Sequence, residues 1–284
     1  VAEPHAPGTF DRDTAVRLLE SSGQARVFAA DVAEGWRAGR GPHGGYLAAM
    51  ILRALEASVE EPRRTPRSLT IHFVRAPELG PVVIRVVLER EGRSVSTVSA
   101  RLEQDGRLMA LALCAFSVPW DGPAISEVPM PQVAPPEPHR NPGTLIKSEN
   151  VPEIARHITV QRRFGGVPFA DPDQPMETGG WLGLAEPRPI DTLSLAFFCD
   201  ALIPAPFMRL VAPAPAPTID LTIHFRVAMP REEQPDPNEL CLARVNAGVV
   251  HDGLFEEDVV IWARDGTLLA QSRQLAILMG PSMG

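Results

Sequence analysis

The chain has 284 residues, enough for two domains of ordinary size, and its 44% hydrophobic and 22% charged content suits a packed core under a water-facing surface. A net charge of −8 argues against nucleic acid as a main partner. No apolar run reaches the roughly 18–20 residues that span a bilayer, which argues against membrane insertion.

The opening VAEPHAPGTFDRD is polar and partly acidic and does not read as a signal peptide. The three cysteines, Cys114, Cys199 and Cys241, are sparse and lack metal spacing; they read as buried free thiols of a reducing cytoplasm, with no metal expected. DTAVRLLESS (13–22) predicts a short amphipathic helix with Asp13 as N-cap and Gly23 as its end. QARVFAADVA (24–33) predicts a strand. A Gly/Pro-rich loop starts at Gly39, and from Tyr46 to Leu55 nearly every position is apolar, the mark of a buried helix. Four strand-like runs follow at 68–77, 81–90, 94–103 and 107–117, joined by short Gly-containing turns that predict an antiparallel meander. A sheet curled around the one apolar helix is the economical packing.

Between Pro119 and Pro142 fall eight prolines, a density that blocks helix interiors and sheet centres. Residues 118–150 therefore read as an extended linker over the surface between units at 1–117 and 151–284. The second unit repeats the plan. Strand candidates lie at 155–164 and 177–187, an apolar helix at 191–205 with Asp191 as N-cap, and further strands at 217–227, 240–250, 255–265 and 267–279.

The repeat is literal in one place. Leu69–Phe73 and Leu221–Phe225 are both LTIHF, and DGRLMALA from Asp105 is echoed by DGTLLAQS from Asp265. The two spacings differ by eight residues, so one loop is longer in the second copy, and REEQPDPNE (231–239) is the evident insertion. Two copies of one unit point to a fused pair rather than a solenoid. His72 and His224 lie inside the repeat and read as structural, inward- or edge-facing histidines.

Residues that break the repeat are where a duplicated fold would carry chemistry. Asp200 lies in a helix otherwise written in Leu, Ala and Phe, and the corresponding part of the first helix, Ala48 to Met50, has no carboxylate. A carboxylate among apolar residues is costly unless paired or solvated. Thr218 stands where the first copy has Pro66, and Gln274 where it has Cys114. Each has a bland alternative: Asp200 exposed near a helix end at Pro204, Thr218 an ordinary turn threonine, Gln274 on a solvated strand face.

With these residues in place, the GPHGGYLAAMILRAL segment, the repeated LTIHF strand and the DG-x-L-x-A hairpin resemble the double hotdog acyl-CoA thioesterases of the type II group, over roughly residues 24–117 and 155–279. The resemblance implies an α+β tandem hotdog, each unit a curved antiparallel sheet wrapped around a central apolar helix. It implies hydrolysis of an acyl-CoA thioester in lipid metabolism without a cofactor, by an Asp on the second unit's helix, a Thr at the start of the next strand and a Gln on the last. Asp200, Thr218 and Gln274 match those three. Asp200 would serve as general base toward water, with Thr218 and Gln274 holding that water in line. Backbone N–H groups at a helix start, in Pro42-His43-Gly44-Gly45, would cradle the oxyanion, two glycines allowing close approach.

Arg63, Arg64 and Arg67, or else Arg162 and Arg163, are the basic clusters open to the phosphates of coenzyme A, and a solvated basic loop reads equally well. Phe197, Phe198, Leu202 and Phe207 are candidates for the acyl tunnel. The rival readings are a non-catalytic acyl-CoA or acyl-carrier binding protein and a hotdog hydratase, the latter disfavoured because no His lies near Asp200 in sequence. Pairing of two such chains into a homodimer stays open. GPSMG (280–284) matches the nucleophile pattern G-x-S-x-G, but that motif needs a strand before it and a helix after it, and the sequence ends at Gly284.

Overall fold

The computed structural model describes residues 8–39, 41–137, 151–231 and 236–280. Residues 232–235 of REEQPDPNE, the linker at 138–150 and most of GPSMG lie outside the described residues. In the first half α1 (Thr9–Asp13) leads to β1 (Arg17–Ser22), β2 (Ala25–Val32) and the two-residue strands β3 (Arg37–Ala38) and β4 (Gly41–Pro42). Then come α2 (Gly44–Glu56), β5 (Thr65–Phe73), β6 (Gly80–Glu91), β7 (Val95–Gln104) and β8 (Arg107–Ser117). The second half has a 3-10 turn (Glu153–Arg156), β9 (Ile158–Phe164), β10 (Glu177–Leu184), α3 (Thr192–Phe198) and a second 3-10 turn (Ala205–Met208). It closes with β11 (Thr218–Phe225), β12 (Cys241–Asn246), β13 (Val250–His251), β14 (Leu254–Trp262) and β15 (Leu268–Ile277).

Apart from the small β3–β4 hairpin, all strands belong to one antiparallel sheet, in the order β1-β2-β6-β7-β8-β5-β11-β15-β14-β12-β10-β9, with β13 attached to β14. The order is palindromic about the β5·β11 pair. There the repeated pentapeptide pairs with itself: Thr70 faces Thr222, flanked by Leu69–Ile223 and Ile71–Leu221. The two threonine hydroxyls meet at 3.1 Å, so a local two-fold axis runs between them.

Helix α2 forms because its residues are strong helix formers with no polar face to satisfy. Every residue from Gly45 to Leu55 except Arg53 is buried, and the helix packs against β5, β6, β7 and α3. The two helices run antiparallel. The start of α2 meets the end of α3 through Gly45 and Asp200, and Glu56 at the end of α2 accepts the Thr192 hydroxyl at the start of α3 at 2.6 Å.

Five expectations need correction. Residues 17–22 form a strand, not a helix: they gain backbone partners on the edge of β2 through a turn at Gly23, whose φ is +57°. Asp13 caps nothing and instead accepts the Trp36 indole N–H at 2.9 Å. The meander holds only for β6-β7-β8, because β5 pairs with β8 and the chain crosses back to β6. The second apolar helix stops at Phe198. The backbone tightens there into bonds three residues apart, Asp200 N–H to Phe197 O and Ala201 N–H to Phe198 O, and Pro204 cannot continue a helix. Finally, His72 and His224 face outward and are exposed.

Residues 118–137 contain no helix or strand and lie against the second half's sheet. Trp262 Nε1 donates to Val128 O at 3.0 Å and Trp181 Nε1 to Ala134 O at 2.9 Å. Val128, Met130 and Val133 cover a small core of Trp181, Leu240, Leu242 and Trp262. Cys114, Cys199 and Cys241 are all buried and free.

Candidate active site

The start of α2 and the turn after α3 approach so closely that side chains are excluded. A Cβ on Gly45 would stand 2.5 Å from Phe197 O, and one on Gly44 would stand 2.8 Å from Asp200 Oδ2 and 3.2 Å from the Phe73 ring. The two glycines of the HGG sequence are therefore required by the neighbouring helix end, since neither has a positive φ. Asp200 uses this approach: its Oδ2 accepts the Gly45 N–H at 2.8 Å. The Gly45 donor, expected to wait for an oxyanion, is thus engaged by Asp200. Gly44 N–H remains a first-turn donor with no acceptor four residues back in its helix.

His43 caps α2, its Nδ1 accepting the Tyr46 N–H at 3.4 Å. That leaves the proton on Nε2, which donates to Asp200 O at 2.8 Å and lies 3.4 Å from Oδ2. Burial holds the His43 pKa down against the pull of Asp200. The His43 imidazole is accordingly a neutral hydrogen-bonding clamp on the turn rather than the cation of an ion pair. Asp200, with a side chain 10% exposed, is neither in a helix interior nor on the surface. Burial raises its pKa, partly offset by His43 and by the Gly45 N–H, which is the direction a general base needs.

Thr218 opens β11, and its hydroxyl donates to Gln274 Oε1 at 3.3 Å. Gln274 points inward from β15 and is buried, as is Ser272 on the same face. Gln274 Nε2 donates to Glu257 Oε1 at 2.9 Å, and Glu257 Oε2 accepts the Ala205 N–H at 2.6 Å. Glu257 is 3% exposed. Burial first, then the charge of Asp200, push its carboxyl up to about 8 against the two donors that hold it. Sequence reasoning missed Glu257, yet strand parity contained it: Phe255, Glu257, Val259 and Ile261 share the buried face of β14. It also missed Glu56, the carboxyl at the far end of the helix pair, which burial pushes up to about 7.

The basic clusters fall elsewhere. Arg64 is consumed structurally, bonded to Ser96, Gly92 O and Glu91, and Arg63 pairs with Glu61 at the surface. Arg67 is half-buried on β5, six residues along the strand from Phe73, whose ring lies beside Gly44. Arg163 holds Ala134 O and Pro135 O of the linker, and Arg162 holds Gly166 O. Phe197, Phe198, Leu202 and Phe207 are all buried. Among the described residues no group of three or more His, Cys, Asp or Glu could hold a metal ion, and no helix is long and apolar enough to cross a membrane.

Two family descriptions match successive stretches of the chain: the acyl-CoA thioesterase N-terminal domain over residues 32–117 and the acyl-CoA thioesterase C-terminal domain over 129–278. The chain belongs to the acyl-CoA thioesterase family. A hot dog fold protein of unknown function from Alicyclobacillus acidocaldarius is 26% identical, with a TM-score of 0.84 over 97% of this chain and 100% of the other. A putative thioesterase II from Thermobifida fusca is 27% identical, with a TM-score of 0.74 over 96% and 98%. An uncharacterised protein of Mycobacterium tuberculosis is 26% identical over 95% of this chain and 98% of its own. The fold is a hotdog fold, built mostly of antiparallel sheet.

Proposed function

We propose that the chain is a double hotdog thioester hydrolase acting on acyl-CoA, its units at residues 1–117 and 151–284 joined by 118–150. Asp200 is the general base, and Thr218 and Gln274 hold the attacking water. The observation that carries this reading is Asp200 itself. It is a buried carboxyl with a raised pKa, fixed by the first unit's Gly45 N–H and His43 at the junction of both helices.

A thioester is already activated, so the protein must position water and stabilise charge on the carbonyl oxygen. Asp200 takes the water's proton as its oxygen attacks the carbonyl carbon. Negative charge then develops at the start of α2, where the Gly44 N–H and the helix dipole favour it. Collapse of the tetrahedral adduct expels the thiolate and leaves the acid. The Thr218–Gln274 pair supplies the polar partners that fix the water.

The test is thiol release from acyl-CoA esters of increasing chain length, wild type beside Asp200→Asn. Turnover that collapses in the variant supports the reading and gives the chain length. Tight binding without turnover would replace it with a non-catalytic acyl-CoA binding protein.

A further inference from the structure

Glu257 has no part in the steps above, yet it touches the residues that do. It faces Gln274 directly across the β14·β15 ladder. One of its oxygens takes the Gln274 Nε2 hydrogen and the other takes the N–H of Ala205, which begins the 3-10 turn five residues after Asp200. A single carboxyl therefore ties the strand that carries Gln274 to the segment that carries Asp200.

The fold does not demand an acid at this place. In the first half the residue facing Cys114, the counterpart of Gln274, is Val98, and both are fully buried. An apolar side chain fills the position there without the desolvation a carboxyl suffers. The acid occurs only in the half whose ladder partner is Gln274.

What a carboxylate adds is direction. The two ends of a glutamine amide are nearly equal in shape and opposite in hydrogen-bonding sense. A carboxylate accepts through both oxygens and donates through neither. With Ala205 N–H on one oxygen, the other turns the Gln274 NH2 toward itself and leaves Gln274 Oε1 facing the Thr218 hydroxyl. A glutamine at 257 accepts at one end only, so in place of the two carboxylate oxygens its NH2 would face one of the two donors.

We infer that Glu257 is a positioning residue for the proposed hydrolysis, fixing the sense of the Gln274 carboxamide and its distance from the Asp200 turn. This rests on the reading of Asp200, Thr218 and Gln274 given above. Glu257 is faced by Asp200 from the turn after α3 and by Asp258 on its own strand, and burial raises its pKa further.

The experiment is a double-mutant cycle of Glu257→Gln with Gln274→Ala, measuring kcat and KM for acyl-CoA hydrolysis above pH 8, where Glu257 is ionised. Glu257→Gln lowers kcat about tenfold or more and moves KM by less than about twofold. In the Gln274→Ala background it lowers kcat no further, because there is no carboxamide left to aim. Glu257→Asp, which keeps two acceptor oxygens, recovers part of the loss and serves as the folded variant if Glu257→Gln melts early. Multiplying effects of the two substitutions, or an unchanged kcat in Glu257→Gln, would overturn the inference. If wild type turns over and Asp200→Asn does not, such a result removes this inference alone. A wild type without turnover removes both.

Discussion

Gly45→Ala separates a helix-propensity effect from a packing effect of opposite sign. In an unconstrained helix, alanine for glycine stabilises by about 1 kcal/mol. Here the new Cβ would lie 2.5 Å from Phe197 O and 3.1 Å from both Asp200 Cβ and His43 Cε1, whereas real Cβ atoms essentially never come within 3.0 Å of another heavy atom. Relief needs a movement of at least 3.0 − 2.5 = 0.5 Å between the start of α2 and the end of α3. Both are embedded in the core, and overpacking of this kind costs about 1–3 kcal/mol. The net expectation is a loss of up to about 2 kcal/mol, read as a fall in Tm of up to about 8 °C. The same shift loosens the 2.8 Å Gly45–Asp200 bond, and kcat should fall about tenfold to a hundredfold if Asp200 is the base. Calorimetry and thiol release on one preparation decide it. A variant that melts at or above wild type and keeps its kcat would refute the close approach and the role drawn from it.

Arg188 holds Asp11 through two bonds of 2.8 and 3.0 Å and Asp191 through two of 2.8 and 2.7 Å, with its side chain 14% exposed. Arg188→Met takes four bonds from these carboxylates, which keep Arg53 on Asp11 and the Ser194 N–H on Asp191, and should cost about 1–3 kcal/mol in urea denaturation; an unchanged midpoint would count the network as idle. The raised pKa of Glu257 favours the folded state fully below its unfolded value of 4.5, and that contribution is lost as pH rises through about 8. Melting profiles should therefore show wild-type stability relative to Glu257→Gln declining between those values, and parallel profiles would contradict the burial argument. If Asp200 is the base, the acid limb of kcat should have its midpoint above 3.8, since burial raises that pKa. Cys199, buried and pushed up to about 12, should resist thiol reagents in the native state and react on unfolding; rapid native labelling would show the end of α3 to be open.

The sequence made the second half's asymmetry legible because Asp200, Thr218 and Gln274 each break a repeat whose other copy serves as the reference. Period-2 alternation groups Glu257 with Phe255, Val259 and Ile261, but an acid inside FEEDVV looks like surface until its partners are known. Those partners, Gln274 and Ala205 N–H, come from distant segments. The same limit explains Arg64, whose acceptors lie on a hairpin about thirty residues away. Residues 17–22 carry a helix-like pattern, and only the free edge of β2 makes them a strand. The end of α3 was masked by an apolar composition that continues past Phe198 into the turn.

The β5·β11 junction has a consequence for assembly. Because LTIHF pairs with LTIHF, each half displays an edge complementary to every other copy of that edge, in its own chain or in another. Specificity for the intramolecular partner cannot come from the contact itself. It comes from the unlike contacts of α2 with the α3 segment, Gly45–Asp200 and Glu56–Thr192, and from tethering, since a linker that can span the junction sets an effective concentration on the order of millimolar. At low protein concentration the chain closes on itself. In concentrated solution, or with the linker cut, the same edge is a route to reciprocal exchange of halves between chains.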